Sequence, residues 1–529
     1  MPNLDINPDF ARALDLMENS TRPVFVTGRA GTGKSTLLQH FRLTSKKKVV
    51  VLAPTGVAAL NIDGQTIHSF FLIRPGITLR EAKREGAQAS NNQVFQEIET
   101  IIVDEISMVR ADLFDAMDVF LKAAMHSKKP FGGKQIVMIG DLYQLPPVVR
   151  GDEADDLKKV YETPYFFSAK VTKELLETKD GLAFVELEKI YRQKDSRFIK
   201  VLNAVRNRSA TDEHLEILNS RCNCVECDED LDETIILTAT NKQADTINAC
   251  RLARLLGKRQ AFKASASGKF PEKDAPTDEV LELKPQARVM FLNNDSLGRW
   301  VNGSLGTVKK LSEKEIIVDL DSGDRVEVAP YTWNLFRFEF DKKSKCLERQ
   351  KLGSFTQMPL RLAWAVTIHK SQGKTFERVA IDLGRGAFAA GQVYVALSRC
   401  RSLEGIFLSQ PLGLSQLIID YRVMKFLTSL QYGLAEKAMP MAKKLKIIKK
   451  AIEKKQHLLM TYLKAKDEKS KRKILPLRLG DMEFKGNKFF GLEAYSLESE
   501  GRRNFNVARI LAVELVGGSK SVKSKNVKV

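Results

Sequence analysis

Eight residues near the start, Gly28-Arg29-Ala30-Gly31-Thr32-Gly33-Lys34-Ser35, constrain the chain more than any others. They follow Val24-Phe25-Val26, an apolar run of strand type, and precede Thr36-Leu37-Leu38-Gln39-His40-Phe41, which reads as a helix. Glycine, four residues, then Gly-Lys-Ser between a strand and a helix turns backbone N–H groups inward around a triphosphate. In that arrangement Lys34 brings a point charge to the outer phosphates and Ser35 offers a hydroxyl to Mg²⁺. The competing reading, a glycine-rich structural turn, does not account for the flanks.

Further buried strands follow. Lys48-Val49-Val50-Val51-Leu52-Ala53 leads into Pro54-Thr55-Gly56, and Thr66-Ile67-His68-Ser69-Phe70-Phe71 comes soon after. Small residues, hydroxyls and rings after a strand suit a groove for a nucleic-acid backbone with stacking surfaces, although a Phe pair taken alone is more often core. Residues 72–94 lose periodicity and gain charge, which predicts a small insertion. Thr100-Ile101-Ile102-Val103 then ends in Asp104-Glu105, and Gln135-Ile136-Val137-Met138-Ile139 runs into Gly140-Asp141-Leu142-Tyr143-Gln144. After a phosphate loop, two carboxylates at a strand end divide the work: Asp104 holds Mg²⁺ and Glu105 polarises the attacking water. Gln144 is the candidate γ-phosphate sensor. Strands alternating with helices at this spacing predict a parallel sheet with ligands at the carboxyl ends of its strands.

The segments Ala53 to Phe71, Asp104-Glu105-Ile106-Ser107-Met108, Gly140 to Pro147 and Leu187-Glu188-Lys189-Ile190-Tyr191-Arg192-Gln193 closely resemble the Pif family of superfamily-one DNA helicases, relatives of RecD. Two later segments also match it: Leu362-Ala363-Trp364-Ala365-Val366-Thr367-Ile368-His369-Lys370-Ser371-Gln372-Gly373 and Val393-Tyr394-Val395-Ala396-Leu397-Ser398-Arg399. The resemblance, over about residues 20–425, implies an α/β fold of two RecA-like parallel-sheet lobes with ATP between them. It implies ATP-driven 5′-to-3′ movement on single-stranded DNA lying across both lobes. Arg192 and Arg399 become arginine fingers from the second lobe. ATP contacts are expected from Gly28, Gly31, Thr32, Gly33, Lys34, Ser35, Thr36 and Gly373, and DNA contacts from Pro54, Thr55, Gly56, His68, Ser69, Phe70, Asn241, Thr367, His369, Lys370 and Gln372. Single-strand/duplex junctions and four-stranded G-rich folds are the expected DNA partners. One departure stands out: many relatives carry an adenine-reading glutamine upstream of the loop, and Leu4-Asp5-Ile6-Asn7-Pro8-Asp9-Phe10 has none.

Two other nucleotide and metal readings fail. Asn241-Lys242-Gln243-Ala244-Asp245 misses the guanine-reading Asn-Lys-x-Asp by one position. Cys222, Cys224 and Cys227 with His214 lack the spacing of a usual zinc finger.

Length and charge set the remaining frame. A chain of 529 residues folds as roughly three or four domains. Together with the resemblance, which implies an SH3-like β-barrel inserted at about 296–355, this gives an expected first lobe over 1–180, a second over 181–430, a C-terminal mostly-β domain over 441–516 and a basic tail over 517–529. The formal charge is +20, and residues 441–529 hold 23 Lys and Arg against 9 Asp and Glu. Phe490-Gly491-Leu492-Glu493-Ala494-Tyr495 and Arg502 to Ile510 resemble a WYL domain, with only the leucine of its naming triplet kept. Arg502, Arg503 and Arg509 with Phe490 or Tyr495 would make a second single-strand grip, or the domain is a solvated basic barrel. That charge concentration also leaves open an ATP-hydrolysing switch that binds nucleic acid without moving. No apolar run suggests a membrane span, and a cytoplasmic location is expected.

Overall fold

The computed structural model describes residues 6–74, 76–149, 151–178, 181–222, 234–271, 275–312, 315–341, 346–464, 468–484, 486–498 and 500–516. The chain divides into two compact units: residues 1–206 with 210–419, and residues 207–209 with 420–529. No described helix is long and apolar enough to cross a membrane.

The first lobe is built on six parallel strands: β1 (Val24–Gly28), β2 (Val49–Ala53), β3 (Gln65–Thr66), β4 (Thr100–Val103), β5 (Gln135–Ile139) and β6 (Ala183–Leu187). Their order is β3-β2-β4-β5-β1-β6, and every pairing is parallel. Runs such as Val-Val-Val-Leu and Thr-Ile-Ile-Val are apolar on both sides of the pleat, so they are stable only with both faces covered. Helices α1 (Pro8–Asn19) and α2 (Lys34–Thr44) contribute to that cover, burying Phe10, Met17, Leu37 and Phe41 against Val24, Val26 and Val137.

The first-lobe boundary expected at 180/181 falls one strand early. β6 pairs with β1 from Val24↔Ala183 to Gly28↔Leu187, because its apolar alternation completes the sheet edge beside the phosphate loop. The stretch expected as an insertion also joins the core. Helix Leu79–Gln88 starts at a capping box between Thr78 and Glu81 and packs on helix Ala111–Ala124. Behind it Phe70, Phe71, Phe95 and Phe120 form a ring cluster with centroids 4.9 to 5.3 Å apart at the closest pairs.

The second lobe holds four parallel strands in the order Ala365–Thr367, Ile235–Thr238, Val379–Asp382, Ile406–Leu408. Its β-insertion is larger than expected. Strand pairing begins at Gln260–Lys263 with Val280–Leu283 and continues to Leu360–Leu362, which closes a five-stranded antiparallel sheet. Within that module Phe291 and Trp300 pack at 4.6 Å, and the indole N–H donates to Asn293 at 3.1 Å. A long hairpin, Tyr331–Asp341 with Cys346–Gln357, extends from it and lies against the first-lobe helices Ile67–Phe70 and Gln93–Glu97.

In the second unit, helix Tyr421–Ala438 precedes helix Met441–Glu453, so the second lobe ends before 430 rather than at it. Helix Met441–Glu453 buries Ile448 and Ala451 on a five-stranded antiparallel sheet through Leu458, Met460, Leu492 and Val513. Of Phe490-Gly491-Leu492, the leucine is in the core and Phe490 is 46% exposed. The tail over 517–529 lies outside the described residues.

Gly86 shows how tightly the supposed insertion is held. A Cβ there would sit 2.3 Å from the Phe120 carbonyl oxygen. Alanine gains about 1 kcal/mol of helix propensity, but overpacking costs about 1–3 kcal/mol. Gly86→Ala is therefore expected to lower the calorimetric melting temperature of the first lobe. A rise would show that this helix is loosely attached.

Candidate functional site

The phosphate loop leaves β1 at the carboxyl edge of the sheet and ends at the first turn of α2. Gly31 and Gly33 have φ of +79° and +88°, a region that costs any residue with a Cβ. At Gly31 a Cβ would also lie 2.5 Å from that of Arg192. Lys34 folds back over the loop, donating to the carbonyls of Gly28 at 2.7 Å and Arg29 at 3.0 Å. Burial lowers its pKa, with Asp141 and Glu105 opposing. Ser35 and Thr36 stand exposed at the positive end of the α2 dipole.

Asp104 and Glu105 follow β4. The Asp104 carboxylate accepts the Glu105 N–H at 2.9 Å, and Glu105 takes a left-handed φ of +49°, uncommon outside glycine. Burial raises both carboxyl pKa values, and Asp104 helps bring Glu105 to about 7. The Gln372 side-chain amide spans the next gap. It donates to Glu105 Oε2 at 3.1 Å and to Gln144 Oε1 at 3.2 Å. Gln372 was expected on the DNA backbone; its amide is held instead between Glu105 and Gln144 of the first lobe, which follow β4 and β5.

Arg399 is 1% exposed. Its guanidinium donates to the carbonyls of Val395 at 3.0 Å and Lys374 at 3.2 Å and to the Ser398 hydroxyl at 3.0 Å. Burial and the neighbouring Arg192 bring its pKa down to about 9. Arg192 was grouped with the second lobe, yet it follows β6 of the first and donates to the Ser398 carbonyl at 3.0 Å. The two arginines therefore approach the cleft from opposite lobes.

The expected DNA residues divide. Thr55 is exposed and caps helix Gly56–Asn61 through Ala58 N–H at 3.2 Å, with Pro54 and Gly56 half-buried beside it. His68 and Ser69 are half-buried on a short helix, where Ser69 accepts from Gln65 at 2.9 Å. Phe70 is 5% exposed inside the ring cluster, so it cannot stack on a base in this arrangement. Thr367 is 3% exposed and its hydroxyl accepts the Lys370 N–H at 3.3 Å, which removes it from a phosphate-contact role. Asn241, Lys370 and Gly373 are exposed, and half-buried His369 has its pKa lowered by burial. Lys370 lines a cavity of about 1220 Å³ between α2 and the β-module, together with Arg361, Lys374, Tyr331 and Trp333.

Four residues at the lobe junction carry no role in the sequence reading: Asp141, Arg206, Tyr394 and Lys374. Asp141 and Tyr394 lie inside matched motifs, but their partners are up to 364 positions away. Cys224 and Cys227 lie outside the described residues, and His214 is tied to Thr211 at 2.7 Å.

The model of the PIF1-like helicase family matches residues 10–216, and the WYL domain model matches residues 443–515. An ATP-dependent DNA helicase Pif1 from Bdellovibrio bacteriovorus is 33% identical over 437 residues, 80% of this chain and 92% of the relative. The Pif1 of Bacteroides sp in complex with ADP-AlF4 superposes with a TM-score of 0.72 at 37% identity, covering 81% of this chain and 97% of that one. The same protein bound to single-stranded DNA gives 0.59 at 36% identity, covering 81% and 97%. With a phosphate loop, paired carboxylates and two arginines converging between two parallel-sheet lobes, the chain belongs to the PIF1-like family of ATP-dependent DNA helicases.

Proposed function

We propose that this chain hydrolyses Mg²⁺-ATP in the cleft between its lobes and converts the lobe movement into 5′-to-3′ travel along single-stranded DNA, opening duplex at junctions. The observation that carries the reading is the Gln372 amide, which bridges Glu105 and Gln144 from the opposite lobe. A side chain so placed feels the γ-phosphate position and the lobe separation together.

The donor set fits Mg²⁺. Ser35 and Asp104 offer hard oxygen ligands, one an exposed hydroxyl at the start of α2 and the other a half-buried carboxylate after β4. When bound, the ion draws charge from the β- and γ-phosphates. Glu105 takes a proton from the attacking water as the new P–O bond forms at the γ-phosphorus and the β–γ bridge breaks, giving ADP and phosphate. Lys34 exchanges its loop carbonyls for phosphate oxygens. Arg399 and Arg192 offset charge that develops on the transferred group; each presents a planar guanidinium in the cleft. Gln144 senses whether the γ-phosphate is present.

DNA contacts are assigned to Pro54, Thr55, Gly56, His68 and Ser69 on the first lobe and to Asn241, His369 and Lys370 on the second. The cations and rings of the cavity beside Lys370 suit an anionic chain of bases. In the second unit, exposed Arg502, Arg503 and Arg509 and the half-exposed ring of Phe490 support an additional single-strand grip.

Lys34→Ala and Glu105→Gln are each expected to lower DNA-stimulated ATP turnover about a hundredfold or more, while Glu105→Gln still binds a nonhydrolysable ATP analogue. Normal turnover by either variant contradicts the mechanism. For the C-terminal unit, Arg502→Glu with Arg503→Glu in the full chain is expected to flatten the salt dependence of single-strand affinity by about one to two in log-log slope. An unchanged slope assigns these arginines to the solvated surface.

A further inference from the structure

The two lobes are joined beneath the ATP cleft by a line of hydrogen bonds that crosses between them and returns. It starts in the phosphate loop, where the Ala30 N–H donates to the Tyr394 hydroxyl at 3.0 Å. Tyr394 stands on the second-lobe helix Gln392–Leu397 and is 4% exposed. Its hydroxyl donates onward to Asp141 Oδ2 at 3.2 Å, back in the first lobe. Asp141 is 0% exposed and accepts three further donors: Arg206 Nη2 at 3.1 Å, Tyr143 N–H at 3.2 Å and Gln144 Nε2 at 3.5 Å. From Gln144 the line continues to Gln372 on the second lobe and ends on Glu105.

The surroundings leave this line little freedom. A Cβ on Gly391, which begins the Tyr394 helix at φ +74°, would lie 2.3 Å from the Tyr143 carbonyl and 2.5 Å from that of Gln144. The second-lobe helix is thereby seated against the turn that carries Gln144. On the other side of Asp141, the Arg206 guanidinium lies 4.0 Å above the Tyr143 ring. Burial and Asp141 raise the pKa of Tyr394, so its hydroxyl keeps the proton that it donates.

Phosphate-loop amides respond to the nucleotide because anion binding is what they do. One of them is held by a hydroxyl from the other lobe, and that hydroxyl also holds the carboxylate that orients Gln144. Neither contact can change without altering the other. We propose that Tyr394 is a positioning residue that links the nucleotide state of the phosphate loop to the register of the two lobes, so that without its hydroxyl ATP hydrolysis runs loose from DNA. The proposal rests on the cleft being the ATP site.

Tyr394→Phe keeps the ring and removes only the hydroxyl. In the full chain we expect basal ATP turnover and KM for ATP to stay within about twofold, while stimulation by single-stranded DNA and duplex opened per ATP fall about tenfold. Asp141→Asn, which weakens the same link but also the Arg206 and Gln144 contacts, is expected to lose the same stimulation together with part of its basal turnover. The double variant should be no worse than the stronger single one. Unchanged stimulation in both variants overturns the proposal. So does an equal fall of basal and stimulated turnover that follows a lowered melting temperature, since that is a packing role. A wrong ATP-site assignment shows separately, as Lys34→Ala retaining its turnover.

Discussion

A carboxylate with no access to water, Asp141, is the constraint around which the lobe junction is arranged. Taking such a charge out of water costs several kcal/mol even after relaxation, and that cost is offset only if good partners surround it. Asp141 has Arg206, the Tyr394 hydroxyl, the Tyr143 amide and the Gln144 amide. These partners come from both lobes and from the turn that carries Gln144. Stability of the buried charge and geometry of the catalytic cleft are therefore the same requirement. A group of like charges nearby, Lys34, Arg192 and Arg399, is held among backbone carbonyls.

Sheet topology explains why these groups meet. In both lobes the strands are parallel, so their carboxyl ends open on one edge and the turns that follow them carry the polar residues. The phosphate loop follows β1, Asp104 and Glu105 follow β4, Asp141 and Gln144 follow β5, and Arg192 follows β6. Gln372 lies in the turn after strand Ala365–Thr367 of the second sheet. Facing two such edges toward each other makes a cleft lined by opposed turns, which is the geometry that a nucleotide-driven hinge requires. The β-module and its hairpin leave the second sheet yet rest on the first lobe, giving the moving parts a second contact away from the nucleotide.

Much of this was legible in the sequence because parallel strands write themselves as apolar runs and phosphate chemistry needs fixed residue types. The strands at Val24, Val49, Thr100, Gln135 and Ile235 and the positive-φ loop glycines follow from that, whereas Arg399 was singled out only by the family resemblance. What was not legible depends on partners distant in the chain. Phe70 looked like a stacking surface until Phe95 and Phe120 closed around it. Residues 72–94 looked like an insertion because their polar outer face hides the small residues Ala82 and Gly86 that pack inward. β6 is short and follows a helix, so nothing local says which sheet it joins. Gln372 and Tyr394 lie in motifs whose residue types suit DNA, nucleotide or core equally, and only the opposing lobe decides among them.

In the function proposed for this cleft, hydrolysis changes the separation of two lobes gripping single-stranded DNA. Strand displacement on otherwise identical duplexes with a 5′ overhang, a 3′ overhang or blunt ends tests it most directly, with ATP turnover followed in the same reactions. ATP-dependent opening of the 5′-overhang duplex and little of the other two is the expected result. Full DNA-stimulated ATP turnover with no strand displaced from any of the three would contradict it.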